Sequence, residues 1–277
     1  MIALLANPES GSGEAGEVER LLRAYDESVT RFDLDRADEV ADAQPSRIVV
    51  AGGDGSVGCG AAAAARVGVP LGVVAVGTAN DFARAMDLPR ELFAAVDLAA
   101  SGTQTERLDL GRVGDRPFVN AAAAGLSPVA ASNAHGLKRI LGPLAYTVGA
   151  LRAGLFAKPV RCSVTVDGRP CFDGEAWQVI VGLTGAFGGG AEVEADPSDG
   201  RLDVVAIEAG SRFRLVARGY GLRAGQIEEQ GGVVTATGRT VEVEHDGAGF
   251  NVDGELVEDR SLRFEVEPSA FDVVVGP

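Results

Sequence analysis

Hydrophobic and polar positions follow two different rhythms along the chain. In roughly the first hundred residues, short apolar runs alternate with helical patterns. MIALLA (1–6) predicts a buried strand, and the polar, glycine-rich NPESGSGEAG that follows predicts a turn. A helix is expected over about 14–27, with Val18, Leu21, Leu22 and Tyr25 on one face. SVTRFDL predicts a second strand, RADEVADA a short helix and RIVVA (47–51) a third strand. After GGDGS comes an alanine-rich helix to about residue 67, then PLGVVAV as a fourth strand. GTANDFARAMDL predicts a loop and helix, and 90–100 a further helix. Strands alternating with helices imply a mostly parallel sheet covered on both faces. Ligands of such sheets sit beyond the carboxyl ends of the strands, where GGDGS and GTAND both leave.

The rhythm changes after about residue 105. ERLDLGRV, RPFVNAAAAG, RCSVTVDG, GEAWQVIVGL, GRLDVVAIEA, GRTVEVEHD, GFNVDGEL and LRFEVEP alternate with period two and are punctuated by glycine turns. That predicts an antiparallel β domain. HGLKRILGPLAYTVGALRAGLF and SRFRLVARGYGL (211–222) read as helices within it. The domain organisation expected is 1–108 and 109–267, with a last strand at about 268–277 returning to the first domain.

Composition narrows the function classes. The 277 residues suffice for one large or two medium domains, and 46% are hydrophobic, enough for a sizeable core. The net charge of −15 disfavours nucleic acid as a partner, because a phosphate backbone needs basic surface. The same charge confines any contact with anionic lipid to a local patch. Cys59, Cys162 and Cys171 lack CxxC spacing, which disfavours zinc or a disulfide framework; Cys162 and Cys171 either face each other on paired strands or are reduced core residues. MIALLANPESGSG lacks the basic start and apolar run of a signal peptide, and no stretch is apolar for 18 residues. The expectation is a cytoplasmic protein.

Two loops can carry chemistry. VVAGGDGSVG (49–58) leads from a strand through glycines into a helix. Such a loop exposes backbone N–H groups to an anion at a helix N-terminus. Asp54 repels phosphate unless a magnesium ion or its water lies between; otherwise it is a capping residue of a strand–turn–helix connection. The GxxxxGK[ST] phosphate loop is absent. VGTANDFARAMDLP (76–89) offers Gly77 for close approach, the Thr78 hydroxyl, and Asn80 and Asp81 ahead of a helix, or simply an N-cap turn. DPSDGRLD pairs carboxylates with a glycine turn, which suits a hard cation or is an ordinary β-turn.

GGDG[ST] followed about 20 residues later by GTxNDFAR resembles the catalytic domain of the diacylglycerol kinase and bacterial lipid kinase family, related to NAD kinases and sphingosine kinases. NPESGSG (7–13), RLDLGRV (107–113), FVNAAAAG (118–125), GPLAY (142–146), GGGAEVEADPSDGRLDVV (188–205) and NVDGE (251–255) fit the same family in order. The resemblance implies an α/β N-terminal domain, a C-terminal antiparallel β-sandwich-like domain and ATP in the cleft between them. It implies an ATP-dependent lipid kinase acting on a hydroxyl of a diacylglycerol-like lipid at the membrane surface, with ATP as phosphate donor and Mg²⁺. Nucleotide contacts are expected from Gly52, Gly53, Asp54, Gly55, Ser56, Val57 and Gly58, and from Gly77, Thr78, Asn80 and Asp81. Asp54 would organise catalytic magnesium through water, Asp109 would join that magnesium–water network, and Glu255 would be the general base; apart from the resemblance, Asp109 in its alternating segment reads as a surface residue and Glu255 as a hairpin residue after Asp253-Gly254. A further magnesium would be held by the Asp199 side chain and the carbonyls of Asp196 and Arg201.

The sequence departs from the family pattern in two places. Many members continue GGDGTxNE, whereas here Gly58 and Cys59 stand at the Asn-Glu pair. No lysine follows the AY of GPLAY, where Thr147, Val148 and Gly149 stand; Lys158 or Arg152 could substitute. His135 and His245 have no evident partner for a triad, and Trp177 reads as core. KRILGPLAYTVGALRAGLFAK is either a lip that touches membrane or a core-packing helix. A sheet edge in the second domain could pair two copies into a homodimer. The rival functions are an NAD-kinase-like phosphotransferase on a soluble substrate and a non-catalytic nucleotide- or lipid-binding module.

Overall fold

The structure is a computed structural model and describes residues 1–7, 14–126, 158–188, 190–211 and 231–276. The described residues form two compact units: Met1–Asn120 with Pro197–Gly200 and Val266–Pro277, and Ala121–Asp196 with Arg201–Glu265. The division falls at 120/121, later than the boundary at 108 expected from the change of rhythm. The reason is local: the strand that begins the new rhythm forms a hairpin whose residues pack with the first unit's core.

The first unit runs β1 (Ile2–Ala6), α1 (Glu14–Leu22), β2 (Thr30–Asp33), a 3-10 segment (Leu34–Ala43), β3 (Arg47–Gly52), α2 (Asp54–Val67), β4 (Leu71–Ala75), α3 (Asp81–Ala85), α4 (Leu92–Ser101), β5 (Thr105–Val113) and β6 (Arg116–Phe118). The parallel order is β2-β1-β3-β4. Alternate residues of one strand feed opposite cores. Ala3, Leu5, Ile48, Val50, Leu71 and Val73 pack with α2. Ile2, Leu4, Ala6, Val49, Ala51 and Val74 pack with α1 and α4. That is why these strands are apolar throughout, as a sheet covered on both faces requires. Ala61–Ala64 of α2 are all buried, and their small side chains let the helix lie close on the sheet.

The second unit holds β7 (Ala121–Gly125), β8 (Val160–Val166), β9 (Arg169–Gly182), β10 (Ala186–Phe187), β11 (Ala191–Glu192), β12 (Leu202–Glu208), β13 (Val233–Gly238), β14 (Thr240–His245), β15 (Phe250–Val252) and β16 (Glu255–Val257). All pairings in it are antiparallel. The first half of β9 pairs with β8, while its second half lies between β7 and β12. β8 and β14 alternate buried and exposed residues, so one face is covered. Trp177, Ile180, Val205 and Ile207 form a core with Ala121, Ala123 and Val193. Cys162 lies opposite Gly174, not Cys171, and none of the three cysteines is in a disulfide.

Two predicted segments divide differently. RPFVNAAAAG is two strands, because the chain leaves β6 at Val119-Asn120 before β7 begins. LRFEVEP and AFDVVV are one strand, β17 (Ser261–Val274), despite Pro268 and a positive φ of 48° at Ser269. Its early residues pair with β14, and Val273 pairs with Leu71 of β4. The predicted helices at 135–156 and 211–222 lie outside the described residues, apart from Ser211, as does most of NPESGSG.

Candidate active site

The GGDGS loop is the turn between β3 and α2. Gly53 caps the helix with extended backbone, and the first α-helical bond runs from the Val57 N–H to the Gly53 carbonyl at 3.1 Å. The N–H groups of Asp54, Gly55 and Ser56 precede that bond and have no acceptor inside the helix. They form a compact anion-binding end, reinforced by the helix dipole. Val57 and Gly58, also expected at the nucleotide, are buried. Val57 is 2% exposed, and the Gly58 Cα faces the backbone of Pro117 and Phe118. Bulk at Gly58 would push α2 from β6, so this departure from the family pattern has a packing consequence of its own.

Asp54 does not cap its own helix. Its Oδ1 accepts the Phe82 N–H of α3 at 2.9 Å and the Asn120 Nδ2 at 3.0 Å. Oδ2 receives no hydrogen bond among the described residues, and Asp54 is part-exposed. One oxygen is therefore fixed and the other is free to face a ligand.

The GTAND loop is built from its own side chains. Asn80 adopts a left-handed backbone (φ 51°) and donates its amide to the carbonyls of Gly77 (3.1 Å) and Ala75 (3.4 Å). Gly77 lies against Gly53, which leaves no room there for a side chain. Thr78 is exposed at the loop's rim, while Asp81 is 5% exposed and paired with Arg84 one turn on. Asp54, Gly77, Asn80 and Asp81 thus converge within the first unit.

Asp109 occupies a different setting. It is 1% exposed, its Oδ1 accepts the Ser269 N–H and its Oδ2 the Gly200 N–H, both at 2.6 Å, and its own N–H bonds the Pro197 carbonyl. Its carboxylate pins the Pro197–Gly200 turn and the bend in β17. Asp199 of that turn is exposed, as are Asp196 and Arg201. No group of three or more His, Cys, Asp or Glu residues poised for a metal occurs among the described residues, so a cation on this turn would depend on carbonyls as well.

In the second unit, Glu255 opens β16 and is exposed. It follows a tight turn with positive φ at Asp253 (45°) and Gly254 (90°), as a two-residue hairpin demands. Asn251 Oδ1 accepts the Gly254 N–H at 2.9 Å. Asp253 exchanges two bonds with Ala121: its N–H reaches the Ala121 carbonyl, and its Oδ1 accepts the Ala121 N–H, both at 3.1 Å. The hairpin carrying Glu255 is thereby fixed to β7. His245 is buried against Phe250, with Nδ1 accepting the Gly247 N–H. Burial holds its pKa below the usual value, chiefly against the weaker opposite pull of Asp246.

Sequence reasoning assigned no role to Asn120 or Arg84, and to Asp253 only a place in the hairpin turn. Asn120 was signalled by a lone amide inside the apolar run FVNAAAA, a position that calls for a buried partner.

Two family models cover almost the whole chain. The diacylglycerol kinase catalytic domain matches residues 1–113, and the YegS C-terminal NAD kinase beta sandwich-like domain matches 120–275. The chain belongs to the diacylglycerol kinase family of lipid kinases. Its relatives agree with that membership. A YegS-like lipid kinase of Pseudomonas putida is 33% identical over 234 residues, covering 82% of this chain and 76% of that protein. A diacylglycerol kinase of Mycobacterium tuberculosis is 29% identical over 235 residues with the same coverage. Among solved structures, a diacylglycerol kinase from Bacillus anthracis superposes with a TM-score of 0.77 at 19% identity, covering 100% of this chain and 97% of that one. An NAD kinase from Archaeoglobus fulgidus in complex with ATP gives 0.52 at 15% identity, covering 99% and 93%. The fold is that of this group, an α/β domain followed by an antiparallel β domain. Among the described residues, no helix is long and apolar enough to cross a membrane.

Proposed function

We propose that the protein transfers the γ-phosphate of ATP to a hydroxyl of a diacylglycerol-like lipid. The observation that carries this reading is the joint geometry of α2 and Asp54. Three N–H groups open the helix, and beside them lies a carboxylate with one oxygen held and the other unengaged. Phosphates suit the N–H groups. The free oxygen suits magnesium or its water, since a hard cation prefers oxygen donors. Asp54 would hold the ion through water, and the ion would offset the charge that develops on the phosphates. Gly77 and Thr78 bound the nucleotide on the GTAND side.

Glu255 accepts the proton of the lipid hydroxyl as that oxygen attacks the γ-phosphorus. The bond to the ADP oxygen breaks, ADP carries away its electron pair, and the lipid leaves as a phosphate monoester. A second magnesium would be held on the Asp196–Arg201 turn by the Asp199 carboxylate and the carbonyls of Asp196 and Arg201. What supports it is the pinning of that turn by Asp109. The substrate requires work at a lipid surface, and a net charge of −15 makes that contact local and peripheral. Access to ATP places it on the cytoplasmic side.

The test is transfer of labelled γ-phosphate from Mg-ATP to a panel of lipids in mixed micelles, with NAD as a soluble acceptor. Labelled lipid with unlabelled NAD is expected. Labelled NAD with no labelled lipid would replace the reading with an NAD-kinase activity.

A further inference from the structure

We propose that Asn120 is a positioning residue for the Asp54 carboxylate, whose neutral amide fixes Oδ1 so that Oδ2 stays turned to Mg-ATP. The inference rests on the kinase reading and adds to it a residue that acts through another.

Asn120 is 2% exposed, so water cannot stand in for it. It lies between the buried residues Phe118-Val119 and the alanine run of β7. A buried amide in such a place is tolerated only when bonded. Its Nδ2 donates to Asp54 Oδ1 at 3.0 Å. The orientation of the amide is set by chemistry, because an ionised carboxylate only accepts and must meet the nitrogen.

The same oxygen accepts the Phe82 N–H at 2.9 Å. A carboxylate oxygen has about two acceptor sites, and both are taken here. The two donors come from separate segments, the start of α3 and the chain after β6. Together they fix the carboxylate's rotation about its χ angles, which neither could do alone. Oδ2 receives no bond among the described residues and is the oxygen left for a ligand.

Charge explains why an amide stands there. Lysine or arginine would donate as well, but its positive charge would compete with the magnesium for Asp54. Aspartate would set a second carboxylate against Oδ1, and two such groups cannot both ionise easily. Asparagine donates without adding charge.

The experiment compares wild type, N120A and N120D in the full chain. ATP affinity is measured by calorimetry with and without Mg²⁺, and the rate of lipid phosphorylation and Tm are recorded for each protein. In N120A, the gain in ATP affinity on adding Mg²⁺ should fall by tenfold or more, while affinity for metal-free ATP changes little. In N120D, the same gain should fall as well, since a carboxylate at that place cannot donate to Oδ1 as the amide does. A merely structural role would lower Tm and leave the gain in place in both variants, and that result would overturn the proposal. If N120A does not fold, N120D decides through its Mg²⁺-dependent gain in ATP affinity, and an unchanged gain counts against the proposal. If wild type phosphorylates no lipid, the lipid-kinase reading fails by itself. The Mg²⁺-dependent gain in ATP affinity in N120A and N120D then decides the role of Asn120: an unchanged gain overturns it, a lost gain upholds it.

Discussion

Gly77 and Gly53 touch backbone to backbone: a methyl group on Gly77 would lie 2.5 Å from the Gly53 Cα. The two loops that leave β3 and β4 thus meet closely where Gly77 has no side chain. G77A must push them apart, because the obstacle is main chain and cannot rotate away. It is expected to cost about 1–3 kcal/mol of stability, the usual range for overpacking. ATP affinity should fall at least tenfold. The control is G68A, at the far end of α2, where φ is 74° and no atom lies nearby. It should cost about 1 kcal/mol of backbone strain and leave ATP affinity unchanged. Denaturant midpoints and ATP titrations on both variants check this; equal ATP affinities for G77A and wild type would contradict it.

Asp109 gives a stability prediction. Its two oxygens take the N–H groups of Ser269 and Gly200, and the residue is buried. In D109N, one acceptor becomes an NH₂ that faces a donor. The expected loss is about 2–4 kcal/mol, as for a buried charged acceptor left mismatched. Urea unfolding measures it, and a loss below about 0.5 kcal/mol, the range of neutral surface changes, would contradict the structural role.

These two sites show what the sequence could reveal. The glycines of GGDGS and GTAND, followed by helical patterns, disclosed the loops, because close backbone approach has few other solutions. The antiparallel half was legible from alternation such as RCSVTV and TVEVEH. That Asp54 does not cap α2 was not, since a carboxylate at a helix start reads as a cap. Its donors, Phe82 and Asn120, lie 28 and 66 residues away. β17 was split in the sequence because Pro268-Ser269 looks like a stop signal. The Ser269 N–H goes to Asp109 instead, a bond across 160 residues that no local pattern contains.

His245 predicts a pH dependence. Burial keeps its folded pKa below the unfolded value of about 6.5. The unfolded chain therefore takes up the proton first as pH falls. The stability from the neutral, buried ring is present above about 6.5 and is lost as pH drops towards the folded pKa. H245F carries no such proton and should show a flatter stability curve than wild type between pH 7.5 and 5. Urea midpoints across that range test it; parallel curves would show that His245 does not titrate as its burial implies.

Cys162 predicts a difference in reactivity. Burial pushes its thiol up to about 11, and burial raises that of Cys171 as well. The thiolate is the reactive form, so Cys162 should resist alkylation at pH 8 until the chain unfolds. Mass spectrometry after iodoacetamide treatment, with and without urea, reads this directly. Rapid labelling of Cys162 in the native protein would contradict its burial.

The proposed roles of Glu255 as base and of Asp54 at the magnesium–nucleotide meet in a single assay. It is the initial rate of labelled-phosphate transfer from Mg-ATP to diacylglycerol micelles by wild type, E255Q and D54N, with ATP binding followed on the same preparations. E255Q is expected to lose about 10²–10⁴-fold in rate while still binding ATP. D54N is expected to lose about 10²–10³-fold. An E255Q protein that turns over lipid at the wild-type rate would rule out Glu255 as the base.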